Sequence, residues 1–188
     1  MTGTDRIGGL AALLKDADGR RRPVERWNPP DCGDIGLRIH ADGTWSYAGS
    51  PIGRIALVQL FASVLRREPD GRTYLVTPVE KVLVTVDDAP FLAVEMEIAG
   101  NGRDQTLIFR TNVDDVVRCG PENPLRFAAG SHGGIKPYVL VRGRLEALVT
   151  RALVYEIVEI AGKNSSAAPA GIWSGGAFFA FDQPERTR

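Results

Sequence analysis

The residues best placed for chemistry are arginines at turns and helix starts. Arg54 and Arg151 each fall in the first turn of an expected helix. A cation there opposes the helix macrodipole, which favours negative charge at that end by about 0.3–1 kcal/mol. The placement is less puzzling if an anion sits between the guanidinium and the free N–H groups of the turn. Gly53 would let such an anion approach the backbone closely. Arg110 and Asn112 are two apart on an expected strand and so share a face. Arg142 and Arg144 flank Gly143 at a hairpin turn, with Tyr138 nearby. Two guanidinium forks beside an aromatic ring suit a phosphate-bearing aromatic ligand. At each position the alternative is an ion pair with a neighbouring carboxylate, or a solvated side chain.

Other chemistry is thinly represented. There is no G-x-x-x-x-G-K-[ST] loop and no G-x-G-x-x-G, so P-loop hydrolysis and a Rossmann cofactor are disfavoured. Ala129-Gly130-Ser131-His132-Gly133 imitates a nucleophile elbow, but a strand follows it where an elbow needs a helix. Asp87-Asp88 and Asp114-Asp115 sit at expected turns, where Asp serves local hydrogen bonding. Glu95 and Glu97 lie on the wet face of a strand. No spacing singles out a carboxylate pair for acid–base work. Cys32 and Cys119 are far apart, and two histidines, His40 and His132, cannot build a His-rich metal site.

These side chains must be carried by elements that the local patterns outline. Residues 5–17 read as a short amphipathic helix, ended by Asp18-Gly19 and the Arg20-Arg21-Arg22 run. Residues 35–40 alternate as a half-buried strand, Asp42-Gly43 marks a hairpin, and Trp45 and Tyr47 share a face of the next strand. Ser50-Pro51 reads as a helix cap followed by Pro at the first helical position, opening a helix over 51–67. Its buried set is Ile55, Val58, Leu60, Phe61, Val64 and Leu65. Strands follow at 74–77 and 79–86. In the next one Leu92, Val94, Met96 and Ile98 alternate with Ala93, Glu95 and Glu97. Further strands fall at 106–112, 116–119, 125–128 and 138–141, with a Gly-rich loop over 129–136. Residues 144–149 fit strand or helix, and a helix follows over 150–161. Residues 165–171 form a small-residue linker. The tail, with Trp173, Phe178, Phe179 and Phe181, must dock on the body to hide its rings.

One unit reads twice in plan: strand, turn at Gly43, strand, helix with Arg54, and strand, turn at Gly143, strand, helix with Arg151. Ser50 and Thr150 would cap the two helices. On this echo, residues 144–149 are read as strand.

Composition sets the outer limits. The chain has 188 residues, 44% hydrophobic and 24% charged, enough apolar mass for a core. Its 23 basic and 23 acidic residues cancel, so a general nucleic-acid or membrane-surface role is disfavoured. No stretch approaches the roughly 20 apolar residues of a membrane helix. Few, unpaired cysteines fit a reducing compartment, and a cytoplasmic location is expected.

Several runs together resemble a known family. They are Asp42-Gly43-Thr44-Trp45-Ser46-Tyr47-Ala48-Gly49-Ser50-Pro51-Ile52-Gly53-Arg54, Leu60-Phe61-Ala62-Ser63-Val64-Leu65-Arg66, Thr77-Pro78-Val79-Glu80-Lys81, Asp88-Ala89-Pro90-Phe91 and Phe109-Arg110-Thr111-Asn112. Pro137-Tyr138-Val139-Leu140-Val141-Arg142 and Trp173-Ser174-Gly175-Gly176-Ala177-Phe178-Phe179 complete the set. The chain, from about residue 25 to 181, resembles the bacterial family called domain of unknown function 1285. The resemblance implies a duplicated α+β core, with a C-terminal half superficially like a pleckstrin-homology barrel. It implies a role in signal transduction, with a nucleotide-like ligand in the cleft between halves, and it carries no catalytic residues.

The expectation is therefore an α+β protein of two related halves, residues 1–88 and 89–188. Its leading function is non-enzymatic sensing or binding of a small, nucleotide-like anion at the interface between the halves. Arg54, Arg110, Arg142 and Arg151 would supply charge, Asn112 and Ser174 hydrogen bonds, and Tyr138 or Trp173 a stacking face. No metal or cofactor is specified. A protein-interaction module is the second reading, and a hydrolase or transferase using a carboxylate pair the third.

Overall fold

The computed structural model describes residues 22–130, 134–164 and 170–181. The expected helix over 5–17, most of the Arg20–Arg22 run, the Ser131-His132-Gly133 part of the elbow-like loop and most of the 165–171 linker lie outside the described residues. Contacts divide the chain between Asp88 and Ala89 into two compact units.

The first unit is one sheet. β1 (Asp31–Ile39), β2 (Trp45–Tyr47) and β3 (Ser50–Pro51) form an antiparallel meander. Helix α1 (Ile55–Ser63) leads to a second meander, β4 (Leu65–Arg67), β5 (Thr73–Val76) and β6 (Lys81–Val86). The two join through the parallel pair β1–β6, giving the order β3-β2-β1-β6-β5-β4. Parallel pairing here has a local signature. Asp31-Cys32-Gly33 and Asp34-Ile35-Gly36 are tandem Asp-x-Gly turns. The N–H of Gly33 donates to Asp31 Oδ1 at 2.8 Å and that of Gly36 to Asp34 Oδ1 at 2.7 Å. Both glycines have φ near +80° (79° and 78°), and each turn coincides with a register shift against β6. The core lies between the inner face of the sheet and α1, where Trp45 and Phe61 meet at 6.3 Å.

The second unit holds β7 (Phe91–Ala99), β8 (Thr106–Thr111), β9 (Val116–Arg118), β10 (Leu125–Ala129), β11 (Ile135–Arg142) and β12 (Leu145–Val149), in the order β10-β11-β12-β7-β8-β9. The sheet curls into a half-barrel. Helix α2 (Arg151–Asn164) follows, burying Leu153, Ile157 and Ala161 at i, i+4 and i+8. The tail folds into the hairpin β13 (Gly171–Ser174) and β14 (Ala177–Ala180), which docks on this unit as its rings required. Phe181 packs edge-on against Phe127 at 5.0 Å.

Read from the other edge, the second sheet is β9-β8-β7-β12-β11-β10, the same path as the first. The chain is thus duplicated, but not in the alignment the local patterns suggest. β1-β2-β3 corresponds to β7-β8-β9, and α1 falls between the third and fourth strands whereas α2 follows the sixth. Arg54 and Arg151 therefore do not occupy equivalent places. The expected α+β class holds only in coarser form. The described residues are mostly β, with two α-helices of 9 and 14 residues among fourteen strands.

Three local expectations change for identifiable reasons. Ser50 and Pro51 are not a cap; they pair with Tyr47 and Ser46 as β3, and the helix begins at Ile55. Val64 and Leu65 are buried as expected, but the helix has ended by then, and Leu65 pairs with Leu75 in β4. In β7 the face switches. Phe91 and Ala93 are buried, Val94 is 39% exposed, and a register shift between Ala93 and Glu95 follows. Met96 and Ile98 then stand opposite Phe109 and Leu107, so one extra residue has inverted the alternation.

The two cysteines are reduced and unlike. Cys32 is exposed; Cys119 is buried, and burial pushes its thiol up to about 11. Since the thiolate is the reactive form, the native chain should release one equivalent of thionitrobenzoate from Ellman's reagent. A second should appear only on denaturation. Prompt reaction of both would show that the β9–β10 region opens readily.

Candidate functional site

The eight residues expected to bind a ligand are spread over both units, and most are engaged in holding the fold. In the first unit, Arg54 is the N-cap of α1, exposed, with no side-chain capping bond. In the second, Arg110 lies flat against Glu95. Its Nε donates to Oε2 at 2.9 Å, its Nη2 makes a second bond to Oε1, and Nη1 reaches Asp114 at 3.3 Å. The guanidinium holds the Glu95 carboxyl below its usual range. Asn112 Oδ1 accepts the N–H of Leu92 at 3.0 Å. Arg142 reaches Asp115 at 3.2 Å and lies over the Phe91 ring. The turn after β8 thus gathers Arg110, Asn112 and Arg142, with Asp114 and Asp115 as counter-charges. The ion-pair alternative is the one realised there.

The other four are dispersed. Arg151 opens α2 and donates to Tyr155 Oη at 2.9 Å. Tyr138 is buried, with the Arg126 guanidinium 4.3 Å above its ring. Trp173 is half-buried against Phe178, with Arg103 at 5.4 Å. Ser174 is fully buried; its hydroxyl donates to Cys119 O at 2.8 Å and accepts the Leu107 N–H at 2.9 Å. It stitches the tail hairpin to the sheet.

A different site emerges on the outer face of the first sheet. Antiparallel pairing puts Arg66 opposite Tyr74, and Tyr74 opposite Leu83, with Lys81 two residues before Leu83 on the same strand. Leu65, Leu75, Val82 and Val84 point the other way, into the core. Arg66 would be exposed on this outer face were it not covered. A short 3-10 turn, Val24–Arg26, lies over it, and Arg66 Nη1 donates to the carbonyls of Val24 at 2.7 Å and Trp27 at 2.6 Å. Its Nε and Nη2 donate to Glu68 Oε1 at 3.1 and 2.6 Å. Only 7% of the side chain is exposed. Buried charge of this kind persists only when paired and hydrogen-bonded.

Pinning the turn leaves a groove of about 570 Å³. That is within the roughly 300–1,000 Å³ typical of small-molecule sites. Arg66, Glu68, Tyr74 and Lys81 form its floor; Glu25, Arg26, Trp27 and Asn28 form one wall, and Pro69 and Asp70 the other. Lys81 Nζ is 3.6 Å from Glu68 Oε1 and 4.6 Å above the Tyr74 ring. Two floor cations face one floor carboxylate, while the lining as a whole balances, with Arg26, Arg66 and Lys81 against Glu25, Glu68 and Asp70. Asp70 faces Arg72 at 3.8 Å. Arg26 and Asn28 are exposed on the rim, either side of the half-buried Trp27.

Arg66 and Lys81 end two of the runs that resemble the family, yet their partnership had no local signal. It arises from three strands and a turn more than forty residues upstream. No group of metal-ligating side chains occurs among the described residues. Nor is any described helix long and apolar enough to cross a membrane.

Two family models match. One, described as a domain of unknown function (DUF1285), N-terminal domain, covers residues 22–89; the other, a protein of unknown function (DUF1285), C-terminal domain, covers residues 90–181. Among solved structures, a DUF1285 family protein from Silicibacter pomeroyi DSS-3 is 48% identical, with a TM-score of 0.82 over 89% of this chain and 93% of that one. A DUF1285 family protein from Shewanella baltica OS155 is 27% identical, with a TM-score of 0.52 over 66% of this chain and 91% of that one. No curated protein matches.

Proposed function

The chain belongs to the DUF1285 family over both of its units, and from that premise we propose that the groove over Arg66 is a non-catalytic sensing site that binds a small, nucleotide-like anion. The observation that carries this reading is the groove floor: a buried guanidinium and Lys81 against a single carboxylate, beneath an aromatic wall. Lys81, 3.6 Å from the carboxylate it shares with Arg66, is the floor cation that meets an anionic group. Trp27 offers a ring face to a planar base, and Arg26 and Asn28 offer donors at the rim. The positions expected from sequence are weaker hosts, because Arg110, Arg142 and Arg151 already have partners within the fold. We read the second unit, a curled sheet followed by α2, as superficially like a pleckstrin-homology barrel, in keeping with a cytoplasmic signalling role.

A thermal-shift screen against nucleotides, dinucleotide cofactors, coenzyme A and cyclic dinucleotides tests this. A ligand at 100 times its Kd adds about 2.7 kcal/mol, which moves the Tm by several degrees. The shift should vanish in Lys81→Ala and shrink in Trp27→Ala. A shift that survives both substitutions would place the ligand elsewhere, and no shift with any compound would overturn the reading. The second reading, a protein-interaction module, is favoured by Tyr155 and Val158, which lie 61% and 44% exposed one turn apart on α2.

A further inference from the structure

The outer face of the first sheet carries a second cluster, at the other end of β6 from the groove. Arg38 stands opposite Ser46 in the β1–β2 register, so the two share a face, and His40 continues it two residues on. Arg38 also pairs with Thr85 of β6, and Asp87 follows two residues later on that face. His40 Nε2 lies 2.9 Å from Ser46 Oγ, and His40 Nδ1 lies 3.5 Å from Asp87 Oδ2. Asp87 Oδ1 accepts from Arg38 Nε at 2.8 Å and lies 2.6 Å from its Nη2. Lys81 and Asp87 are six residues apart on an extended strand, about 20 Å, so this cluster shares no side chain with the groove.

The roles follow from the order of contacts. The Arg38 hydrogen bond holds the Asp87 carboxyl below its usual range, so it is ionised at neutral pH. A carboxylate facing Nδ1 favours the tautomer with its proton on that nitrogen, which leaves Nε2 as an acceptor. The acceptor faces a serine hydroxyl. A nucleophile, a base within hydrogen-bond reach and a group orienting the base are what acyl transfer requires.

We propose that Ser46 is a nucleophile toward small carboxylic esters, with His40 as its base and Asp87 as the residue that positions His40. Ser46 Oγ attacks the ester carbonyl carbon while its proton passes to His40 Nε2. The C–O bond to the leaving alkoxide breaks, and the alkoxide takes that proton. Water, giving its proton to the same nitrogen, then attacks the acyl carbon; the bond to Ser46 Oγ breaks, Oγ takes that proton back from Nε2, and a carboxylic acid leaves. The Arg38 guanidinium, half-exposed and directly across from Ser46, supplies positive charge for the oxyanion. Ser46 is only 7% exposed, so the acyl group that fits is short. The sequence gives no hint of this set. A nucleophile elbow is a local pattern, whereas Ser46 lies within β2, and His40 and Asp87 just past the ends of β1 and β6.

The test uses the full chain with methanesulfonyl fluoride, as small as the acyl group the site admits, and with p-nitrophenyl acetate. The expected result is an adduct on Ser46, located by peptide mass mapping, with the exposed Ser50 unlabelled. His40→Ala should slow both reactions by about 100-fold or more. Asp87→Asn should lower kcat for p-nitrophenyl acetate with little change in KM, which a merely structural role would not produce. An unlabelled Ser46 in the wild-type chain overturns the proposal, and so does a His40→Ala rate equal to that of wild type. Either failure leaves the groove untouched, because a ligand-induced shift there does not involve these residues.

Discussion

Arg66→Ala should destabilise the first unit by about 3–5 kcal/mol, the cost of breaking a buried ion pair by removing one partner. The substitution deletes four hydrogen bonds at once. The Trp27 carbonyl loses its Arg66 donor, the Val24 carbonyl keeps only the 3.3 Å bond from the Trp27 N–H, and the Glu68 carboxylate keeps Lys81 at 3.6 Å. Unsatisfied buried acceptors account for much of the loss. Arg66→Lys should recover little of it, because a point charge cannot serve two carbonyls and a carboxylate in three directions. Equilibrium urea unfolding measures both variants. A loss below about 1 kcal/mol for Arg66→Ala, the scale of an exposed pair, would mean that the turn over β4 is held by something other than this guanidinium. The same experiment bears on function, since the groove exists only while that turn is pinned.

The tail hairpin offers the second large effect, with its own control alongside. Gly175 and Gly176 both have positive φ, 56° and 78°. A Cβ at Gly176 would meet nothing within 4 Å, whereas one at Gly175 would lie 2.7 Å from Cys119 O and 3.0 Å from Gly120 Cα. Gly176→Ala should therefore cost only the left-handed backbone penalty, about 1 kcal/mol. Gly175→Ala adds overlap with backbone that cannot swing aside, for a total of about 2–5 kcal/mol. It should also disturb the Gly175 N–H bond to Gln105 O and the Ser174 contacts beside it. Thermal unfolding of the two variants in parallel gives the comparison. Equal losses would show that the hairpin shifts to relieve the overlap.

Much of the strand content was legible because alternation and turn residues are local. Residues 144–149 read correctly as strand, and the aromatic tail read correctly as docked, since four rings cannot stay in water without cost. The errors share a cause. Ser50-Pro51 has cap chemistry, but the edge of β2 offered backbone partners, and β3 formed instead. In β7 one bulged residue at Val94 left Leu92 and Val94 on the face opposite Met96 and Ile98, where an unbroken period implied all four together. The apparent repeat followed turn and helix patterns, while the real duplication lies in strand order.

Binding chemistry shows the same division. Residue types alone determined that the chain has a core, no net charge, no familiar nucleotide loop, and arginines rich enough to serve an anion. Tertiary structure decided which of them are occupied. Arg110 and Arg142 met carboxylates on a neighbouring turn, and Ser174 was enclosed between Cys119 and Leu107. Arg66 and Lys81 were drawn together across three strands, as were His40, Ser46 and Asp87. Side-chain type and spacing are encoded residue by residue. Which charge meets which depends on strand register and sheet order, and these are set by the free energy of the whole packed sheet.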